Sequence, residues 1–168
     1  MKVSIKQDGA AIALLLALAT LYFLPVLLEG NSRVLGSIGD DMRDQFFYWR
    51  HFGFGSLARG EIPLWNPYIF SGNPFVAGTE SARFYPLNIL FLLFGTAFAI
   101  NLSIALHAFL ATLFTYLFAR YMDLGRAGSV LSAIAFTYGA PFFLRIFAGH
   151  IPIVYAGIWL PLMFLAVE

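Results

Sequence analysis

From Ala10 to Leu28 the chain runs AAIALLLALATLYFLPVLL, with no charge and no glycine. A stretch of this length matches the ~20 residues that a helix needs to cross about 30 Å of hydrocarbon. It is too long for the apolar part of a signal peptide, and no small-x-small cleavage site follows it cleanly, so an uncleaved first span is expected. The rest of the chain agrees. Hydrophobic residues make up 60% of it and charged residues only 11%, which is more apolar surface than a water-soluble domain of 168 residues could hide. The class is therefore all-α integral membrane: in hydrocarbon, backbone polar groups are satisfied inside helices.

Further apolar runs extend this to a multi-span helical bundle. The expected layout is a cytoplasmic amino terminus at 1–9, spans at 10–28, 97–119, 127–143 and 151–168, an extracytoplasmic loop at 29–96, a cytoplasmic turn at 120–126 and a second outer loop at 144–150. The third span is rich in small residues, which let helices approach closely, and the fourth is interrupted by Pro152 and Pro161. With the amino terminus inside, Lys2, Lys6, Arg120 and Arg126 are cytoplasmic, while Arg33, Arg43, Arg50, Arg59, Arg83 and Arg145 are outside. A raw count favours the reverse. The charge rule acts on short segments beside spans, however, and loses force over loops near 60 residues. A net charge of +1 argues against nucleic acid as a partner, and the absence of cysteine excludes disulfides and thiolate chemistry.

The long first loop holds the densest polar signal, GDDMRDQFFYWRH, from Gly39 to His51. Three of the nine acidic residues, Asp40, Asp41 and Asp44, fall within five positions of it. On a helical wheel Met42, Phe46, Trp49 and Gly53 share a stripe, the acids lie on a neighbouring arc, and Arg43 and Arg50 sit on the far flank. We expect this helix in the headgroup plane, with its rings toward lipid and its carboxylates toward water or a cavity, ended by Gly53, Gly55 and Gly60. The prolines and asparagines of Pro63 to Gly78 read as turns. The run from Pro86 to Phe94 reads as a second interfacial or re-entrant helix.

Asp40, Asp41 and Asp44 could act as a general base. Asp40 and Asp41 could also hold a divalent cation (Mg or Mn) through oxygen ligands; no other cofactor is expected. A solvated loop neutralised by Arg43 and Arg50 accounts for the same residues. Glu80 and Arg83 flank the aromatic end of the loop, where an arginine could grip a phosphate or merely anchor the interface. His107, mid-span beside Asn101 and Ser103, is an intramembrane ionisable group, for which we favour a helix-bonding role. Arg145 and His150 face the same compartment as the acids and could complete a site there. There is no phosphate-binding loop, no HExxH zinc motif and no dinucleotide fingerprint.

Gly39-Asp40-Asp41 with Gln45, the block from Gly60 to Pro74 (GEIPLWNPYIFSGNP), Phe84 to Asn88 (FYPLN), Gly149-His150 and Trp159-Leu160-Pro161-Leu162 together resemble bacterial YfhO-type membrane proteins of the GT-C glycosyltransferase superfamily. The resemblance runs over about Ser37 to Glu168. It implies a bundle of many spans with juxtamembrane helices in the first outer loop, in a bacterial or archaeal inner membrane. It also implies sugar transfer from a polyprenyl-phosphate lipid at the extracytoplasmic face. By motif position Asp41 is the first choice of base and Asp40 the second, while Asp44 has no clear family counterpart; from the residues themselves Asp44, Glu80, Arg83, Arg145 and His150 are candidates for substrate contacts. The resemblance further implies more spans than four, so the chain is expected to work with further helices of a longer protein or a partner subunit. A non-catalytic component that binds or translocates lipid, or serves as a scaffold, remains the competing reading. If the acidic stretch lies outside, impermeant labelling of intact cells modifies the loop at 29–96; labelling only after lysis refutes the topology.

Overall fold

The computed structural model describes residues 5–37, 39–78 and 81–167. Glu80 is outside the described residues.

Among the described residues, three helical segments are long and apolar enough to cross a membrane. The first, α1 (Ile5–Leu28), begins earlier than expected and carries Asp8 inside its opening turns. A short π-helical turn (Met42–Phe46) leads directly into α2 (Phe47–Ala58). A two-stranded antiparallel hairpin follows, β1 (Trp65–Asn66) with β2 (Asn73–Pro74), pairing Trp65 with Pro74 and Asn66 with Asn73. A 3₁₀ turn at Pro86–Ile89 and the single-turn α3 (Leu90–Leu93) then precede α4 (Thr96–Tyr121). After α5 (Arg126–Tyr138) come α6 (Ala140–Phe147), α7 (Ile151–Gly157) and α8 (Trp159–Val167).

The second span, α4, is the axis of the bundle. At ~1.5 Å per residue its 26 residues reach about 39 Å. More than half of it is buried, against under a quarter of the first span. The outward faces of its neighbours carry Leu14, Leu21, Leu28, Leu131, Leu144 and Phe147, all exposed. A leucine surface of that extent suits acyl chains and not water. Inward, α5 presents Ser129, Ala133 and Thr137, one small residue per turn, and Ala133 packs against Leu15 and Tyr116. Hydroxyls along these helices bond back to their own carbonyls, Thr115 to Ala111 (2.8 Å) and Ser132 to Gly128 (2.9 Å), which satisfies them without a second helix.

Several expectations shift. The third span runs on past Phe143: α5 and α6 form a 22-residue apolar segment, 126–147, bent at Gly139. A Cβ there would come within 2.5 Å of the Ala135 carbonyl oxygen, and Pro141 starts α6 rather than ending it. Arg145 therefore sits on the last helical turn, where a cation complements the carbonyl ends, and not in a loop. The stripe along the π turn and α2 is real but faces protein. Met42, Phe46 and Phe54 join the main core with Ile100, Ile104 and Val154, and Arg50 is wholly buried beside them. Gly53 and Gly55 do not stop α2. Gly53 lies under the Phe75 ring, and Gly60, with φ of +79°, follows the helix end.

Polar side chains fasten the loops to α4. Asn31 Oδ1 accepts from the Phe98 amide (3.0 Å), capping α4 from a distant segment; any side chain on Gly95 would strike it. Asn101 Oδ1 accepts from Leu35 N (2.9 Å), and its Nδ2 donates to Arg33 O (2.7 Å). At the opposite end Asp8, fully buried, accepts from Tyr116 OH (2.6 Å) and Arg120 Nε (3.0 Å), with Arg126 Nε at 3.5 Å. Removing one member of such a buried pair leaves an uncompensated charge. We expect Asp8→Ala to cost about 3–5 kcal/mol and Asn31→Ala about 1 kcal/mol, read as thermal unfolding in detergent. Equal, small losses would show that the Asp8 cluster is not holding α1 to α4.

Candidate functional site

Asp40 and Asp41 are neighbours with different fates. Asp40 is buried, and its carboxylate accepts from the amides of Ser37 (2.5 Å) and Arg43 (2.9 Å), closing the turn that starts the π helix. Gly36 is glycine because a Cβ would collide with that carboxylate. Both oxygens of Asp40 thus serve the backbone. Asp41 instead turns outward, its side chain 56% exposed, with Oδ2 3.2 Å from His150 Nε2. His150 in turn has Nδ1 3.2 Å from Arg145 Nη1. A guanidinium can only donate, so Nδ1 accepts and the ring proton sits on Nε2, pointing at Asp41. The result is a chain of three groups, Arg145 to His150 to Asp41.

Gly149 makes this meeting possible. It turns the chain between α6 and α7 with φ of +76°, where a side chain is strained. Its Cα also lies so close to the π turn that a Cβ would stand 2.3 Å from the Met42 amide nitrogen. His150, the next residue, is thereby set beside Asp41. Among the described residues no three carboxylates or imidazoles gather as a cation's shell would need. Asp40 is engaged by amides and Asp41, through Oδ2, by His150.

Arg83 lies elsewhere, on the rim of a cavity of about 710 Å³ whose walls include Arg50, Phe84, Tyr85, Tyr155 and Trp159. The Nε and Nη1 of Arg83 are buried with no hydrogen-bond partner among the described residues, while Arg50 Nη1 donates to Ser81 O (2.9 Å). Two cations set in apolar walls make a chamber suited to an amphiphile with an anionic head. Its wall is pinned to the bundle by His107. Nδ1 of that histidine donates to Ser103 O (2.6 Å), leaving Nε2 to accept from Tyr85 OH (2.8 Å), whose oxygen accepts from Trp159 Nε1 (3.1 Å). Tyr155 stacks on the His107 ring at 3.8 Å. Burial raises the Tyr85 phenol above its ordinary 10, partly offset by the Trp159 bond.

Asp41, Arg145 and His150 are thus gathered from two distant parts of the chain. Arg83 faces the separate chamber, and Asp44 lies on the opposite side of α2 beside a second hollow. Sequence reasoning gave Arg50, Tyr85, Tyr155 and Trp159 no place in a site. For Arg50 the signal was its place four residues after Phe46, on the side of the helix that proved to be core. Compared with protein-family models, curated proteins and solved structures, the chain matches none.

Gly149→Ala forces either the φ or the Met42 contact to give. It should lower stability by about 1–3 kcal/mol and separate His150 from Asp41. A histidine NMR signal of His150 that responds to Asp41→Asn in the parent, and no longer responds in Gly149→Ala, is the expected result. An unchanged response would mean the dyad does not depend on this turn.

Proposed function

We propose that this chain belongs to a GT-C-type membrane glycosyltransferase related to the YfhO-type proteins. It would move a sugar from a polyprenyl-phosphate donor to an acceptor hydroxyl at the extracytoplasmic face of a bacterial or archaeal inner membrane. The observation that carries this reading is the exposed Asp41 carboxylate, steadied by His150 and Arg145 at the head of α2, with a cationic, apolar-walled chamber further along the same helix.

In this scheme Asp41 takes the proton of the acceptor hydroxyl as its oxygen attacks the sugar's anomeric carbon. The bond from that carbon to the phosphate oxygen breaks, and the electron pair leaves on the polyprenyl phosphate. Arg83 and Arg50 supply the charge that stabilises this leaving group. Attack opposite the departing phosphate inverts the anomeric centre. His150 orients Asp41, and Arg145 holds His150 in the tautomer that donates to it. Asp40 shapes the turn through the Ser37 and Arg43 amides. No step is assigned to a metal ion.

The chamber alone favours a second reading, a module that binds or translocates the lipid without transfer. The two separate on Asp41→Asn in the full-length protein, with polyprenyl-phosphate sugar turnover followed by mass spectrometry. Loss of a general base should slow transfer about 10²–10⁴-fold while lipid binding persists. Unchanged turnover at normal expression would remove Asp41 from the mechanism, and absence of any transfer by the parent protein would favour the binding module.

A further inference from the structure

The π turn and α2 separate two hollows. Arg50 and the core stripe look toward the chamber with Arg83. The opposite stripe, Asp44, Tyr48, His51 or Phe52, and Gly55, recurs every three or four residues and lines a second cavity of about 630 Å³ closed by the hairpin loop at Tyr68. Asp41 stands one turn before Asp44, so this stripe begins at the proposed base.

The lining of that cavity is unusual for a surface at the edge of a bilayer. Tyr68 is 81% exposed and Tyr48 62% exposed, so each offers an open ring. Tyr68 is nonetheless held. Phe52 meets it edge-on at 5.7 Å, and its amide donates to Asn66 Oδ1 (3.0 Å), an asparagine that is itself buried in the hairpin. Asp44 and Arg59 line the same hollow, and the Arg59 guanidinium also bonds Ser56 and Glu61. Acyl chains would leave these polar groups unsatisfied. Rings that present a flat CH-accepting face, with planar carboxylate and guanidinium groups beside them, match a molecule with apolar faces and a girdle of hydroxyls.

We propose that this hollow binds a saccharide, and that the saccharide is the acceptor of the transfer. The acceptor role rests on the function proposed above; the binding itself does not. One pyranose face stacks on Tyr68, its hydroxyls bond Asp44 and Arg59, and a hydroxyl at the end nearest Asp44 is led toward Asp41.

The test is calorimetric titration of the full-length protein, in a detergent without a sugar headgroup, with methyl glucoside, galactoside, mannoside and N-acetylglucosaminide. At least one should bind with Kd on the order of 1 mM. Tyr68→Ala and Asp44→Asn, both at exposed positions, should each weaken binding at least about tenfold with an unchanged Tm. Asp41→Asn should keep binding while losing transfer, so the site and the proposed chemistry fail separately. The inference is overturned if no hexoside binds, if both variants bind as the parent does, or if glycerophosphocholine binds in the hexosides' place, which would make the hollow a lipid-headgroup site.

Discussion

Hydrocarbon offers no partner to a stray donor or acceptor, and that constraint organises this molecule around α4. The larger polar side chains that α4 turns inward fasten different segments, while its buried threonine hydroxyls bond their own helix. Asn101 ties down the backbone at 33–35, His107 holds Tyr85 just ahead of the 3₁₀ turn, and Tyr116 with Arg120 anchors the beginning of α1 through Asp8. The amino end of the helix is closed by Asn31. These bonds give register, which lipid-facing leucines cannot supply. The loop at 29–95 packs in one way because its polar anchors have one set of acceptors.

How much of this could be read from the sequence depends on which physical term sets each feature. The apolar runs at 10–28 and 97–119 are set by length and transfer energy, and the helices lie there within a few residues. The helix ends are another matter. Arg145 looks like the start of a loop, yet it sits on the last turn of α6, because a long side chain can keep its charge at the interface while its backbone stays helical. The same ambiguity hid Asp8. A carboxylate near a span reads as a boundary until its partners, Tyr116 and Arg120 from the far end of another helix, are in view.

The acidic stretch was legible as a locus and illegible in detail. Local periodicity gave the stripe through Met42 and Phe46, but not whether lipid or protein would cover it; α4 and α7 do, and they are remote in the chain. Nothing local separates Asp40 from Asp41 either. The first is consumed by amides of its own turn, and the second reaches His150 only because Gly149 lets two backbones touch. For Arg83 the sequence leaves a phosphate grip and an interfacial anchor both open; its Nε and Nη1 have no hydrogen-bond partner among the described residues, and Arg50, which the sequence offers only as a neutraliser of the acids, lines the same chamber.

The close approach at Gly149 also bears on biosynthesis. Helices enter a membrane in the order in which they are made, and the aspartate at position 41 arrives long before the knuckle that carries its histidine. An assembly intermediate holding only the first two spans would display the carboxylate without its imidazole, and the chamber without its Tyr155 and Trp159 side. The contact between Asp41 and His150 therefore forms only once α6 and α7 have reached the π turn.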